Sequence, residues 1–204
     1  MNQSIAQHYL EDSLASFRAY KKLAEKALAQ VSDDELFAAI DEESNSIGVI
    51  MKHMAGNMLS RWTDFLTSDG EKPDRNRDME FVIESQTTKA ALVVYWEKGW
   101  DCVFKAVEQL KPDDFARKVS IRGEEHTIVQ AINRQLTHYA YHIGQIVFLA
   151  KHFRSVDWKS LSIPRNRSAG FNEYLEKKLQ TGEREHRFEA AVGYVSEAAG
   201  DKES

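Results

Sequence analysis

The sequence predicts an all-α, helical-bundle fold with one small β-hairpin. Apolar residues recur at helical spacing in four long segments, and only three prolines and ten glycines interrupt the 204 residues. A content of 42% hydrophobic and 29% charged residues lies within the usual range for one globular domain with a core. We therefore expect four long helices packed around a single core.

The first two predicted helices cover residues 5–30 and 46–66, where apolar side chains recur at intervals of three and four. Between them, Ser32 and Glu35 have the spacing of a capping box, which indicates a short helical turn. The polar segment 68–78 is long for a connection within a bundle. Because long ordered loops often carry functional residues, we expect this loop to contribute to a site.

The second half of the chain predicts two further long helices, over about 84–110 and 127–152. Thr127 and Gln130 form a second capping-box pattern at the start of the last helix. Between the two helices, residues 112–126 show alternating apolar positions and an Arg-Gly pair that favours a turn. The sequence therefore predicts a small β-hairpin immediately before the last core helix.

Charge and composition limit the classes of function. A formal charge of −5 and a pI near 5.8 argue against binding to nucleic acid, which requires clustered Lys and Arg. Cys102 is the single cysteine, so it cannot form an internal disulfide, and this fits a reducing compartment. The start of the chain lacks a secretory-signal pattern, and the longest uncharged run, 135–150, is too short to span a membrane. We expect a soluble, cytoplasmic protein without nucleic-acid or membrane partners.

Two histidines on the last predicted helix indicate a candidate metal site. His138 and His142 are four residues apart, so they lie one turn apart on the same face and can bind one ion. They belong to a polar strip, with Gln135 and Gln145, that borders the apolar face. Buried imidazoles without partners are unfavourable, so these side chains require a metal ion, a hydrogen-bond network or a hydrated cavity.

A third candidate ligand lies on the second predicted long helix. His53 is followed at helical spacing by Asn57 and Arg61, along the border of that helix's apolar face. Three imidazoles with open coordination positions are typical of a catalytic metal site, because structural zinc sites normally have a fourth protein ligand. From the pattern alone, a metal site and a hydrogen-bonded polar core are equally good interpretations. The other histidines are expected to be solvated or capping residues: His8, His126, His152 and His186.

The segments NSIGVIMKHMAGNMLSRWTDFLTSDGEKP and QLTHYAYHIGQIVFLAK resemble the DinB-like (YfiT-like) superfamily of metal-dependent enzymes. Element order, helix lengths and histidine placement extend this resemblance over about residues 5–172. It implies an up-down-down-up four-helix bundle, which we place over residues 1–172. Residues 173–204 lie outside the resemblance, and we expect them to form a C-terminal extension that is partly helical or disordered. The resemblance also implies one metal ion, usually nickel or zinc, held by His53, His138 and His142.

The resemblance leaves the reaction open. Characterised members of the superfamily include S-transferases and isomerases that use low-molecular-weight thiols such as bacillithiol or mycothiol, and others carry only a hydrolase label. The leading hypothesis is an enzyme whose metal ion activates a small thiol or water, while Asn57, Arg61 or Arg134 orients an anionic substrate. Surface salt bridges would explain the two arginines equally well. The alternatives are a non-catalytic, stress-related dimeric bundle protein that binds a metal or ligand, and a metal-free polar cavity for a small ligand. The resemblance also suggests a homodimer.

Overall fold

The computed structural model describes residues 4–183, 190–191 and 193–195. The four long helices are α1 (Ile5–Leu28), α3 (Ile47–Trp62), α4 (Lys89–Glu108) and α5 (Ile128–Arg154), and the shorter ones are α2 (Asp33–Phe37) and α6 (Ser168–Gln180). The antiparallel strands are β1 (Lys118–Ile121) and β2 (Glu124–Thr127), and single 3-10 turns cover Asp78–Phe81, Pro112–Ala116 and Ser155–Asp157. These elements confirm the all-α fold with a β-hairpin. None of the helices within the described ranges is long and apolar enough to cross a membrane.

Helices α1 and α5 run parallel, as their contacts at both ends show. Near the start of each helix, the hydroxyl of Tyr9 donates a hydrogen bond to the carbonyl of Val129 at 3.2 Å. Just beyond their ends, the backbone N–H of Lys159 donates to the side-chain oxygen of Gln30 at 2.8 Å. The two helices therefore pack side by side along their whole length.

Helices α3 and α4 also run parallel, because the chain returns along the long loop 63–88 before α4 begins. Gly48 near the start of α3 lies against Leu92 near the start of α4. Half-way along, Gly99 of α4 lies directly against the backbone of Ala55 in α3. Small residues at this contact allow the two helix backbones to approach closely.

The contacts between α3 and α5 fix the relative direction of the two parallel pairs. The ring of His53, in the first half of α3, lies 5.0 Å from the ring of His142, in the middle of α5. The indole N–H of Trp62, at the end of α3, donates to the hydroxyl of Tyr139 one turn earlier in α5, at 2.9 Å. Helix α3 is therefore antiparallel to α5, and the four long helices form the predicted up-down-down-up bundle.

An aromatic cluster with one member from each long helix lies in the centre of the core. Phe17 of α1 lies 5.9 Å from Trp62 of α3 and 5.8 Å from Tyr139 of α5, measured between ring centroids. Trp100 of α4 lies 5.7 Å from Tyr139. All four side chains are buried, and the edge-to-face pairs among them, Phe17–Trp62 and Trp100–Tyr139, stabilise the core beyond the area that they bury.

The long loop after α3 is fixed to the β-hairpin by Asp69. The hairpin turn consists of Arg122 and Gly123, whose φ angles of 57° and 75° are typical of two-residue hairpins. The carboxylate of Asp69 accepts a hydrogen bond from the hydroxyl of Ser120. It also accepts from the backbone N–H groups of both turn residues, in each case at 2.8 Å. These bonds hold the pKa of Asp69 well below its ordinary value. The loop therefore has a defined conformation next to the end of α3.

Two predicted helix boundaries were wrong. The helix predicted over 46–66 ends at Trp62, because Thr63 is extended, with a ψ of 126°, and Asp64 follows with a positive φ of 49°. The helix predicted over 84–110 begins only after Thr88, whose side chain caps its first turn.

Helix α6 begins before residue 172, where the sequence places the end of the bundle, and continues into the predicted extension. Most of the extension after residue 183 lies outside the described residues. The boundary at 172 and a disordered remainder stay predictions.

The close contact between α3 and α4 leads to a stability prediction. A Cβ atom at Gly99 would lie 3.1 Å from the Cα of Ala55 and 3.1 Å from the sulfur of Met58, so Gly99→Leu overpacks the contact. We expect it to lower the free energy of unfolding by about 1–3 kcal/mol. Gly144→Leu on α5 is the control, because a Cβ there meets nothing within 4 Å. Urea unfolding measures both variants, and equal losses would contradict the predicted close contact.

Candidate metal centre

Three histidines lie close together where α3 packs against the antiparallel helix α5. The ring of His53 lies 5.5 Å from that of His138 and 5.0 Å from that of His142, and the latter two rings lie 4.7 Å apart. Each residue offers one ligand nitrogen within 4.8 Å of the others. His53 is buried, and the two histidines of α5 are half-buried. The structure thus brings together the three histidines that the sequence singled out.

His53 is oriented by a buried carboxylate from the loop between α3 and α4. Its Nδ1 lies 2.8 Å from Oε2 of Glu80. Arg75 also donates two hydrogen bonds to this carboxylate, one to Oε1 at 2.8 Å and one to Oε2 at 2.9 Å. Burial alone raises the pKa of Glu80, but the hydrogen bonds from His53 and Arg75 outweigh it and hold this pKa below its ordinary value. The ionised carboxylate can only accept, so Nδ1 of His53 carries the hydrogen. Nε2 is therefore the nitrogen of His53 that can bind a metal ion.

His142 is oriented in a similar way by its own helix. Its Nδ1 lies 2.8 Å from the side-chain oxygen of Gln145, three residues later on α5. This bond favours the tautomer with hydrogen on Nδ1, which leaves Nε2 without a hydrogen. Gln145 belongs to the polar strip that the sequence placed beside the apolar face. A hydrogen bond of this kind fixes the orientation and tautomer of a histidine that binds a metal ion.

The two histidines of α5 are neutral at neutral pH. Burial, together with the neighbouring His142 and His53, lowers the pKa of His138 to about 3. Burial also lowers the pKa of His142, and His53 adds to the effect. An imidazole must be unprotonated to bind a metal ion, so these two side chains need lose no proton when an ion binds at pH 7.

The donor set fits a divalent ion of the first transition series. Imidazole nitrogens suit zinc and nickel, whereas calcium and magnesium prefer oxygen ligands. The group contains three histidines and, among the described residues, no carboxylate or thiolate that completes it. The three residues can therefore hold a metal ion with coordination positions left for a small molecule.

Sequence reasoning missed Glu80 and Arg75, although one signal for them exists. Gly56 lies one turn after His53 on the same face of α3. A Cβ atom at this position would lie 2.3 Å from Oε1 of Glu80, so the carboxylate fits only because residue 56 is glycine. A glycine inside a helix costs about 1 kcal/mol relative to alanine, and it often marks a close approach of another group.

A second carboxylate extends this network towards the hairpin. Glu71 accepts from Arg61 at 2.8 Å, from Arg75 at 3.2 Å and from Arg122 at 3.2 Å. Arg61 also donates to the carbonyl of Gly70, and the side chains of Arg61 and Arg75 are each only 5% exposed. Arg61 therefore makes a buried ion pair that fixes the loop. The sequence had offered a surface salt bridge as one explanation for this residue.

A cavity of about 230 Å³ lies beside His53 and His138. Asn57, Arg61 and Arg134, the residues that sequence reasoning proposed for substrate orientation, all line it. Asn57 is buried, and its side-chain oxygen accepts from the hydroxyl of Tyr139 at 3.3 Å. We call this space the arginine cavity, because five of its lining residues are arginines: Arg61, Arg75, Arg77, Arg122 and Arg134.

The other histidines do not belong to this cluster. His8 and His152 are exposed, as the sequence predicts for solvated residues. His126 is half-buried in β2, and its Nδ1 lies 3.0 Å from the carbonyl of Glu124. His186 lies outside the described residues.

Fold and site together define a helical-bundle protein with a candidate three-histidine metal centre. Residues 4–167 match the model of the family described as protein of unknown function DUF1572, so the chain belongs to that family. The match ends immediately before α6 and includes all three histidines of the candidate centre. Comparison with curated proteins and with solved structures gave no match. The wider resemblance to the DinB-like superfamily stays a prediction.

The contact between Glu80 and His53 predicts an effect on metal affinity. Glu80→Gln removes the negative charge that fixes the His53 ring, and loss of such a supporting group typically lowers metal affinity about 10–100-fold. Gly56→Ala is expected to act in the same direction, because the new methyl group displaces the carboxylate. Zinc affinity is measured by competition with a chromophoric chelator.

Two controls accompany this measurement. Glu84→Gln changes the charge equally at an exposed residue of the same loop, and Gly144→Ala adds a methyl group in open space. Both should bind zinc as the original protein does. Unchanged affinity in Glu80→Gln and Gly56→Ala would show that the loop does not support the centre.

The lowered histidine pKa values predict a pH-dependent stability of the metal-free protein. Below about pH 6.5 the unfolded chain binds protons that the folded His138 and His142 do not, so stability falls as pH decreases. Each of the two contributes at most about 1.4 kcal/mol per pH unit. Urea unfolding between pH 6.5 and 5, with a chelator present, should show a smaller slope in His138→Gln. His152→Gln, at an exposed position, is the control, and an unaltered slope in His138→Gln would contradict the prediction.

Proposed function

We propose that this protein is a metal-dependent enzyme in which His53, His138 and His142 hold one divalent ion, nickel or zinc. The observation that carries the proposal is the convergence of three imidazoles beside a polar cavity, with two of them oriented through Nδ1. A purely structural site would normally be closed by a fourth protein ligand. The resemblance to the DinB-like superfamily supports the same interpretation.

When bound, a divalent ion supplies the Lewis acidity that makes a small thiol or a water molecule nucleophilic near neutral pH. We rank the thiol first, which gives an S-transferase-like reaction, and water second, which gives a hydrolase-like one. Glu80 and Gln145 orient the imidazoles, and Asn57 and Arg134 position the substrate in the cavity. Arg61 acts mainly by holding the loop that carries Glu71. We further propose that the enzyme works as a homodimer in the cytoplasm, as the sequence indicates.

Metal content tests the proposed centre. Zinc- or nickel-reconstituted protein should contain close to one ion per chain by elemental analysis. His53→Ala, His138→Ala and His142→Ala should each bind the ion much more weakly but keep their helicity, because apolar packing supplies most helical stability. His8→Ala and His152→Ala serve as controls at exposed histidines. Equal stoichiometry and affinity in all five variants would refute the site.

A thiol titration tests the proposed chemistry. The absorption spectrum of cobalt- or nickel-substituted protein at pH 7.5 should gain a charge-transfer band when a small thiol is added, and His53→Ala should lack it. The probes are bacillithiol, mycothiol, glutathione and cysteine. If no thiol changes the spectrum of a protein that contains one ion per chain, the hydrolase-like reaction or the non-catalytic bundle protein replaces the S-transferase.

A further inference from the structure

The arginine cavity carries an excess of positive charge. Three of its five guanidinium groups contact two carboxylates, those of Glu71 and Glu80, so the positive charges of the cavity exceed the negative ones by three. Arg77 packs over the ring of Phe81 at 4.9 Å, and neither Arg77 nor Arg134 pairs with a carboxylate in the described parts of the chain. Two arginines beside the histidine cluster are thus available to a ligand.

Buried polar atoms around the same cavity also lack partners. Nε of Arg61 and the side-chain oxygen of Gln135 are buried and make no hydrogen bond in the described residues. Both side chains line the cavity, and Gln135 is 3% exposed. Asn57 uses its oxygen to accept from Tyr139, which leaves its amide N–H groups as donors. Because an unpaired buried polar group is unfavourable, these atoms indicate a bound group with complementary hydrogen-bonding atoms.

The pattern of donors and acceptors defines the chemistry of that group. Guanidinium groups and the amide of Asn57 donate, so their partner must be an acceptor with negative charge, and guanidinium forks fit carboxylate and phosphate oxygens especially well. The oxygen of Gln135 accepts, so the ligand also needs a donor, such as a hydroxyl group. A volume of about 230 Å³ lies below that of most pockets for drug-sized ligands, so the cavity suits the anionic end of a small molecule.

We propose that the arginine cavity binds a small oxyanion, a carboxylate or a phosphate with an adjacent hydrogen-bond donor, through Arg77 and Arg134. This inference rests on the proposed function, because it makes the oxyanion the part of the substrate that is held beside the metal-binding histidines. Arg61 and Arg75 have a different role from these two residues, since their guanidinium groups are held by Glu71 and Glu80. The reacting end of the substrate then lies next to His53 and His138, which form the adjoining wall.

Anion binding to the metal-free protein tests the inference independently of catalysis. Calorimetric titration at low ionic strength uses lactate and inorganic phosphate as probes, and the uncharged lactamide as the negative control. We expect at least one anion to bind and lactamide not to bind, and the tighter anion distinguishes a carboxylate from a phosphate ligand. Arg77→Gln and Arg134→Gln should each raise the Kd of that anion about tenfold or more, because each removes a charge-assisted hydrogen bond.

Arg165→Gln is the matched control, since it removes the same charge from an exposed residue that does not line the cavity. It should leave the Kd unchanged. The proposal is overturned if neither anion binds, if lactamide binds as tightly as lactate, or if the Arg77→Gln/Arg134→Gln double variant retains the original Kd. Zinc stoichiometry measured on the same samples separates the two proposals. Normal zinc content without anion binding refutes only the oxyanion site, whereas anion binding without zinc refutes the metal-dependent function and leaves the oxyanion site intact.

Discussion

The buried carboxylate of Glu80 connects the loop between α3 and α4 to the candidate centre. It accepts from His53 on α3 and from Arg75 in the loop, at a position that is open only because Gly56 has no side chain. Because a buried charge that loses one partner is strongly destabilising, the carboxylate of Glu80 requires both of these contacts. The orientation of His53 therefore depends on the conformation of the 26-residue loop between Trp62 and Lys89.

The same loop reaches the β-hairpin through two further contacts. Glu71 binds Arg61, Arg75 and Arg122, and Asp69 accepts from the backbone of the hairpin turn. Hairpin, loop and α3 are thus joined by a continuous set of ion pairs and hydrogen bonds. A metal site needs ligands whose positions are held by surrounding groups, and this set supplies the support on the side of α3. On the side of α5, the helix itself supplies it through Gln145.

Local patterns in the sequence were sufficient for the bundle and for the three histidines. Helical spacing places His138 and His142 on one face, and the capping box of Thr127 and Gln130 is present at the start of α5. Contacts made by the loop were not predictable in this way, because Glu80 meets His53 across 27 residues and no periodic pattern encodes the contact. The end of α3 was missed for a related reason. Phe65 and Leu66 continue the apolar pattern and pack against the core, although they lie outside the helix.

The electrostatics of the site relate its two proposed ligands to each other. His138 and His142 are neutral, so they provide no negative charge to offset a divalent cation, and the excess charge of the neighbouring cavity is positive. A cation bound alone would therefore be repelled by the unpaired guanidinium groups of Arg77 and Arg134. An oxyanion bound between the cation and these guanidinium groups would offset this repulsion, and it would be attracted by the cation and by the guanidinium groups. The two ligands should consequently strengthen each other's binding by the same factor, since coupling between two binding equilibria is reciprocal. In these two proposals, the substrate adds its negative charge to that of Glu80, which the protein already places beside His53.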